Sequence, residues 1–493
     1  MEIYGGLTYY ISPTGSDANS GLSAAAPWLT PFHTPHCGDT VLAAAGSYDP
    51  NNFNPGKWGN VTCPANDNVA MIQCATAFAC SVVGYGSVNY GAITIGASYW
   101  GVMGFLGNNS SAPYGSSFQA VPATATRTVH HYAYVNDIAT GGALAGFSSA
   151  AYGGAVGPAA ADYGIYIGDV AYNAATASTY CGSGFSIATP AMTDNNPGPH
   201  FYFYRNIGYL NFDGKNCGAN IGAGTGATDG EALIFDTWNL YGFSGAGVAE
   251  GNLWLKNGNA SFEVFPQSGT GASTAIYRFN TSYSNLADPQ VCPYTLGDVL
   301  LNGHLYAQVY RNLSMTLPIA GVIDANGQKC GQFGQTPNDT FNVFNLMVSG
   351  GVSTKTMVDD NFVFGIEPTT PVGGVTELNA VNWDGGYACS GAARIPSPGG
   401  GNRNHLLCPG DVHGVNPAFP APTIPGAPSC AGQPDTWSCY AATVAGFTPA
   451  NATAQGYGAM AAVPQDQWNS THFICNVLKW APAALQRPCT PQD

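Results

Sequence analysis

The chain has 493 residues, of which only 8% are charged and 12% aromatic, with 65 glycines and a formal net charge of −15. So few charges leave little material for the polar faces of amphipathic helices, which points to an all-β protein. Thirteen Lys+Arg against 28 Asp+Glu argue against a nucleic-acid groove, which must neutralise phosphates, and a uronate-rich polymer would need a metal or a local basic cluster.

The start at Met1-Glu2-Ile3 has neither a basic n-region nor an apolar h-region, so any signal peptide has been removed; no apolar run is long enough to span a membrane. Then comes Tyr9-Tyr10-Ile11-Ser12-Pro13-Thr14-Gly15-Ser16-Asp17, followed by Pro27-Trp28-Leu29-Thr30 and Gly38-Asp39-Thr40-Val41. This opening resembles that of secreted right-handed parallel β-helix proteins of the pectin-lyase-like superfamily. The resemblance implies a single-stranded parallel β-helix acting on or adhering to carbohydrate, without choosing among lyases, hydrolases, esterases, tailspikes and adhesins. One departure is Pro31-Phe32-His33-Thr34-Pro35, where two prolines oppose the short capping helix of the family. The segment from Cys63 to Cys80 is the expected substitute cover for the end of the solenoid.

Residues 1–80 are therefore expected to form an N-terminal cap with first strands, 81–365 the β-helix coils, and 366–493 disulfide-held loops, last coils and a C-terminal cap. The first regular strands are expected over 81–110, and Gly/Ala-rich coils with loops on one face over 139–200. From His200 to Leu317, strand-like segments each carry an asparagine at the same point. These are Asn206, Asn252, Asn280 and Asn312, at steps of 46, 28 and 32 residues. That is a solenoid period with variable loops. Stacked asparagines can satisfy buried turn groups by bonding side chain to backbone along the axis. The ladder extends upstream through Asn136-Asp137 and Asp169, and downstream through Asn345 and Asn361. After Asn361 the pattern weakens, and Val415-Asn416-Pro417-Ala418-Phe419 resembles the tail of such proteins.

Fourteen cysteines without paired CxxC spacing read as disulfides of an oxidising compartment, so the protein is expected to be secreted; Cys74 with Cys80 and Cys430 with Cys439 are close candidates. Nine N-x-S/T sequons suggest a glycoprotein, although Asn280 and Asn312 would be buried in the ladder.

Two constellations carry chemistry. In the first, Lys215 precedes Asp229, Glu231 and Asp236, and on a strand Asp229 and Glu231 would share a face while Asp236 has the opposite parity. These carboxyls could cleave a glycosidic bond as acid and base. They could instead hold Ca²⁺ against a uronate with Lys215 or Arg278 as the base of an elimination, or merely bond turn amides. In the second, aligning coils on the ladder stacks Tyr204, Glu250, Arg278 and Tyr310 in one outer column. That gives either a sugar groove with two aromatic platforms or an exposed ion pair of little consequence. Glu263 is a further substrate-binding candidate. The expected function is cleavage of a polysaccharide, by hydrolysis or elimination; the rival is a non-catalytic glycosylated adhesive or filament-forming protein that self-associates. An enzyme should gather the six catalytic candidates in one open cleft.

Overall fold

The computed structural model describes residues 6–316 except 64–67, 86–89, 112–114, 151–159, 176–180, 213–228, 239–241, 266–272, 286, 289–296 and 303–305. Beyond these it describes 344–349, 357–365, 381–383, 395–396, 406–407, 411–413, 415–462 and 471–491. Among the described residues, short strands assemble into three long sheets, two of eleven strands and one of nine. The first runs from Thr8–Ile11 to Met357–Asp359, the second from Gly46–Tyr48 to Val412–His413, and the third from Ile93–Ile95 to Val381–Trp383. Each strand of a sheet pairs in parallel with the strand one coil later, as Thr274–Arg278 does with Tyr306–Tyr310. The result is a single-stranded right-handed parallel β-helix.

The corner between the first and second sheets is built by one residue in the left-handed region followed by a ladder residue. Asn136, Gly168, Arg205, Gly251, Phe279, Arg311 and Asp360 all have φ between 53 and 68°. For the non-glycines this costs about 1–2 kcal/mol each. The ladder offsets it. The backbone N–H of each ladder residue donates to the side-chain oxygen one coil on: Asn206 to Asn252 at 2.8 Å, Asn252 to Asn280 at 3.1 Å, Asn280 to Asn312 at 3.0 Å and Asn312 to Asn361 at 3.2 Å. The side-chain amides donate in turn to backbone carbonyls, as Asn252 Nδ2 does to Phe203 O.

The ladder corrects the sequence reading at both ends. Upstream its rung is Asp137, which accepts from Phe105 N at 2.7 Å, whereas Asn136 is the left-handed residue before it. Downstream, the backbone of Asn345 lies in the third-sheet strand Phe344–Ser349, and the chain of bonds passes directly from Asn312 to Asn361. A second ladder, absent from the sequence reading, lines the next corner five residues on. Ala174 N donates to Asn211 Oδ1, Asn211 Nδ2 to Asn257 Oδ1 at 2.8 Å, and Asn257 N to Asn285 Oδ1 at 2.9 Å.

Regular pairing begins before residue 81, with Thr8–Ile11 against Thr40–Ala43 and Thr40–Ala43 against Ala70–Cys74. Among the described residues, the third sheet has no strand before Ile93. In its place stand the 3-10 turns Pro50–Phe53 and Pro55–Lys57, which carry Phe53 and Trp58 into the core, with Trp58 against Trp100 at 5.3 Å. This turn segment, not Cys63 to Cys80 alone, fills the first coils. Inside, stacked rings such as Phe118, Phe147 and Phe185 continue from coil to coil at 4.7 and 4.9 Å.

The described part of the C-terminal region packs along the outside of the coils. It runs back along the solenoid as a strap. Trp437, Phe473, Ile474, Val477, Leu478 and Leu485 cover the outer face of the first sheet, and Tyr440, Phe447 and Tyr457 that of the second. Trp480 Nε1 reaches Asn68 near the other end, at 3.1 Å. The amphipathic helix His472–Leu478 supplies part of the seal, capped by Thr471. Disulfides join Cys37 to Cys63, Cys74 to Cys80, Cys430 to Cys439 and Cys475 to Cys489. Four sequon asparagines, Asn109, Asn259, Asn280 and Asn312, are buried, while Asn60 is exposed.

Candidate functional site

The acidic constellation lies on the outer face of the third sheet. Along Leu233–Asp236, Leu233 and Phe235 point into the core, so Ile234 and Asp236 point out. Along Phe262–Phe265, Phe262 and Val264 are inside, so Glu263 and Phe265 point out. The register sets Glu263 beside Ile234 and Phe265 beside Asp236. Because the strand begins at Leu233, Asp229 and Glu231 precede it and the expected strand parity does not apply to them. Asp229 instead acts electrostatically on both Glu231 and Asp236.

Glu231 is fully buried. It accepts from Ser183 Oγ at 2.6 Å and from Asn259 Nδ2, and it shares a hydrogen bond with the Glu263 carboxyl. Burial first, then the negative charges of Asp229 and Glu263, push its carboxyl well above the ordinary range. Asp236 is half-buried, and burial followed by repulsion from Asp229 pushes it up to about 7. The arrangement therefore sets Asp236, raised toward neutrality, near Asp229, with the buried Glu231 held by Ser183 and Asn259. Ser183 and Asn259 were not legible as partners of Glu231, since they come from the coils before and after it.

Lys215 lies outside the described residues. The other candidates form a separate group on the first sheet. Tyr204, Glu250, Arg278 and Tyr310 are successive register neighbours, as alignment on the ladder expects. The column is not an open groove, however, nor an exposed ion pair. Glu250 and Arg278 are buried beneath the strap; Arg278 Nε and Nη2 each lie 2.7 Å from Glu250 Oε2, while Arg487 and the Tyr202 hydroxyl bond Oε1. Arg278 Nη1 donates to the Tyr310 hydroxyl at 2.7 Å, and Arg487 sits over the Tyr204 ring at 4.8 Å. The described members of the six catalytic candidates thus fall on two sheets, not in one cleft.

A third cluster, on the outer face of the first sheet nearer the N-terminus, went unnoticed in the sequence. The rings of Tyr99, His131, Tyr163 and His200 stack in succession at 5.2, 4.4 and 4.0 Å, the first three in the left-handed region. His200 Nδ1 is 2.6 Å from Asp162 Oδ1, and its Nε2 is 2.7 Å from Asn196 O. Both side chains of the pair are fully buried. Nothing local marks it, because Asp162 and His200 are 38 residues apart.

No protein-family model matches the sequence, and no curated protein matches it. Similar solved structures include a mannuronic acid specific polysaccharide family 6 lyase from human gut microbiota, 11% identical over 79% of this chain and 77% of that one, with a TM-score of 0.39. An alginate lyase from Paenibacillus sp. str. FPU-7 is 11% identical over 82% of this chain and 99% of that one, TM-score 0.31. A lacto-N-biosidase from Eubacterium ramulus is 12% identical over 65% and 66%, TM-score 0.29. Likenesses this distant assign no activity. The parallel β-helix architecture stands on the three parallel sheets themselves.

Proposed function

We propose that this chain is an extracellular, carbohydrate-active enzyme that hydrolyses glycosidic bonds at the outer face of the third sheet. Asp236 donates a proton to the leaving oxygen, and Asp229 serves as the partner carboxylate, as nucleophile or as base toward water. The observation that carries this reading is the half-buried Asp236, pushed up to about 7 beside Asp229. A proton donor tuned to neutral pH is what leaving-group departure needs. Elimination is the weaker reading, because Arg278, one of its two candidate bases, is engaged by Glu250. Calcium held by Asp229, Glu231 and Asp236 belongs to that weaker reading.

The test is a panel of neutral and uronic polysaccharides, with Ca²⁺ or EDTA, followed by reducing ends and by the ultraviolet absorbance of unsaturated uronates. We expect reducing ends without absorbance, insensitive to EDTA, lost about a hundredfold or more in Asp236→Asn. Activity should fall as pH rises through about 7, where Asp236 loses its proton. Absorbance would establish elimination instead. Silence across the panel from folded protein would favour the adhesive or self-associating structural reading.

A further inference from the structure

We propose that Phe265 is the platform on which a pyranose ring rests beside Asp236, and that the glycan taken there is built of neutral sugars. This rests on the hydrolytic reading of Asp236. Phe265 is 42% exposed, whereas Glu263, on the same face of the same strand, is 6% exposed. The phenyl ring thus stands open to a ligand at the end of an otherwise buried strand. Among the described residues, the other exposed large hydrophobics, Leu7, Leu22, Phe32, Val83 and Tyr85, all lie in the first coils, far along the chain from the carboxyls, and Phe265 is the exposed ring at the site.

Its position is fixed by register. Phe265 pairs with Asp236, and paired neighbours in a parallel sheet lie about 4.8 Å apart with side chains on one face. A sugar ring laid on the phenyl face would therefore bring its glycosidic oxygen within reach of the Asp236 carboxyl. Phenylalanine offers no hydrogen-bonding group, so what it recognises is the apolar C–H face of a pyranose, which the electron-rich ring attracts.

The charge of the sugar follows from the neighbours. Asp236 and Glu231 already bear the repulsion of Asp229, and Glu231 that of Glu263 as well. A uronate bound over Phe265 would add another negative charge to this half-buried patch and would itself be repelled. A neutral pyranose carries no such penalty.

The experiment is calorimetric titration of the full chain with neutral hexasaccharides (xylo-, manno-, cello- and β-1,3-gluco-oligosaccharides) and with hexagalacturonate. It uses wild type, Asp236→Asn, Phe265→Ala and Phe265→Trp. At least one neutral chain should bind wild type, lose about tenfold or more in affinity with Phe265→Ala, and be retained by Phe265→Trp. Hexagalacturonate should bind more weakly. Unchanged affinity in Phe265→Ala, tighter binding of hexagalacturonate, or no binding of any neutral chain would each overturn the inference. The exposed side chain makes Phe265→Ala benign for folding, which an unfolding curve verifies. If the platform holds but Asp236→Asn still cleaves at the wild-type rate, the reading of Asp236 fails on its own.

Discussion

Glu250 and Arg278 face each other across adjacent coils, with both Nε and Nη2 of the arginine 2.7 Å from one carboxylate oxygen, and Arg487 of the returning strap bonds the other. The pair therefore ties the solenoid to its own C-terminal segment.

Removing one partner leaves a buried charge, so Arg278→Met should cost about 3–5 kcal/mol in urea unfolding, and Glu250→Leu/Arg278→Met together distinctly less than the sum of the single changes. Burial alone would raise the Glu250 pKa, but Arg487 and Arg278 outweigh it and hold the carboxyl below 4.5. This contribution is thus fully present above pH 4.5 and is lost as pH falls through the lower folded value. A Glu250→Gln variant should flatten that part of the pH–stability curve.

Asn252 receives the N–H of Asn206 and donates to Phe203 O and Asn280 Oδ1. Asn252→Leu strands these buried groups without water, at about 1–3 kcal/mol for each one left unpaired. A loss of about 3 kcal/mol in unfolding free energy, read as a lower urea midpoint, is expected, with strands of the neighbouring coils exchanging amide hydrogens faster. An unchanged midpoint would mean the ladder is decorative.

Asp169 stands at a ladder position where asparagine would serve better. Its Oδ1 accepts from Asp137 N at 2.9 Å, but its buried Oδ2 has no hydrogen-bond partner. Burial, then the charge of Asp137, raises its carboxyl well above 3.8. Stability from this group is present below pH 3.8 and is lost as pH rises through the folded value. Asp169→Asn should therefore stabilise the protein at pH 7 by about 1–3 kcal/mol, with the advantage shrinking toward pH 4. Denaturant curves at the two pH values decide it.

The His200 ring nitrogens both face acceptors, Asp162 Oδ1 and Asn196 O, so both carry protons. Burial opposes this charge, but the hydrogen bond and charge of Asp162 prevail and raise the pKa above 6.5. Its stabilisation is full below pH 6.5 and is lost as pH rises through the folded value. Asp162 Oδ2 also holds Thr193 N at 2.8 Å, so the segment from Thr189 to Pro199 is latched by this pair. Hydrogen exchange in that segment, corrected for intrinsic rates, should quicken at alkaline pH, and His200→Ala should abolish the dependence.

By itself the sequence determined the β-helix and most of its asparagine ladder, because both are properties of repetition. Each rung bonds its neighbour one coil away, so the requirement recurs at every turn and shows as aligned Asn206, Asn252, Asn280 and Asn312. Asn211, Asn257 and Asn285 were equally readable, five residues later in the same coils, by extending that alignment. The column Tyr204, Glu250, Arg278, Tyr310 followed from the same repeat. What repetition cannot encode is which outer face is left open. That was decided by a strap folding back from more than 200 residues away, whose Arg487 closes over Glu250, and by the turn that starts a strand at Leu233 and so sets Asp236 beside Phe265. Burial of these side chains depends on non-repeating segments docking across many coils; desolvation raises both carboxyls, and it is the neighbouring charge, Arg487 and Arg278 at Glu250 against Asp229 at Asp236, that sends the first down and the second up.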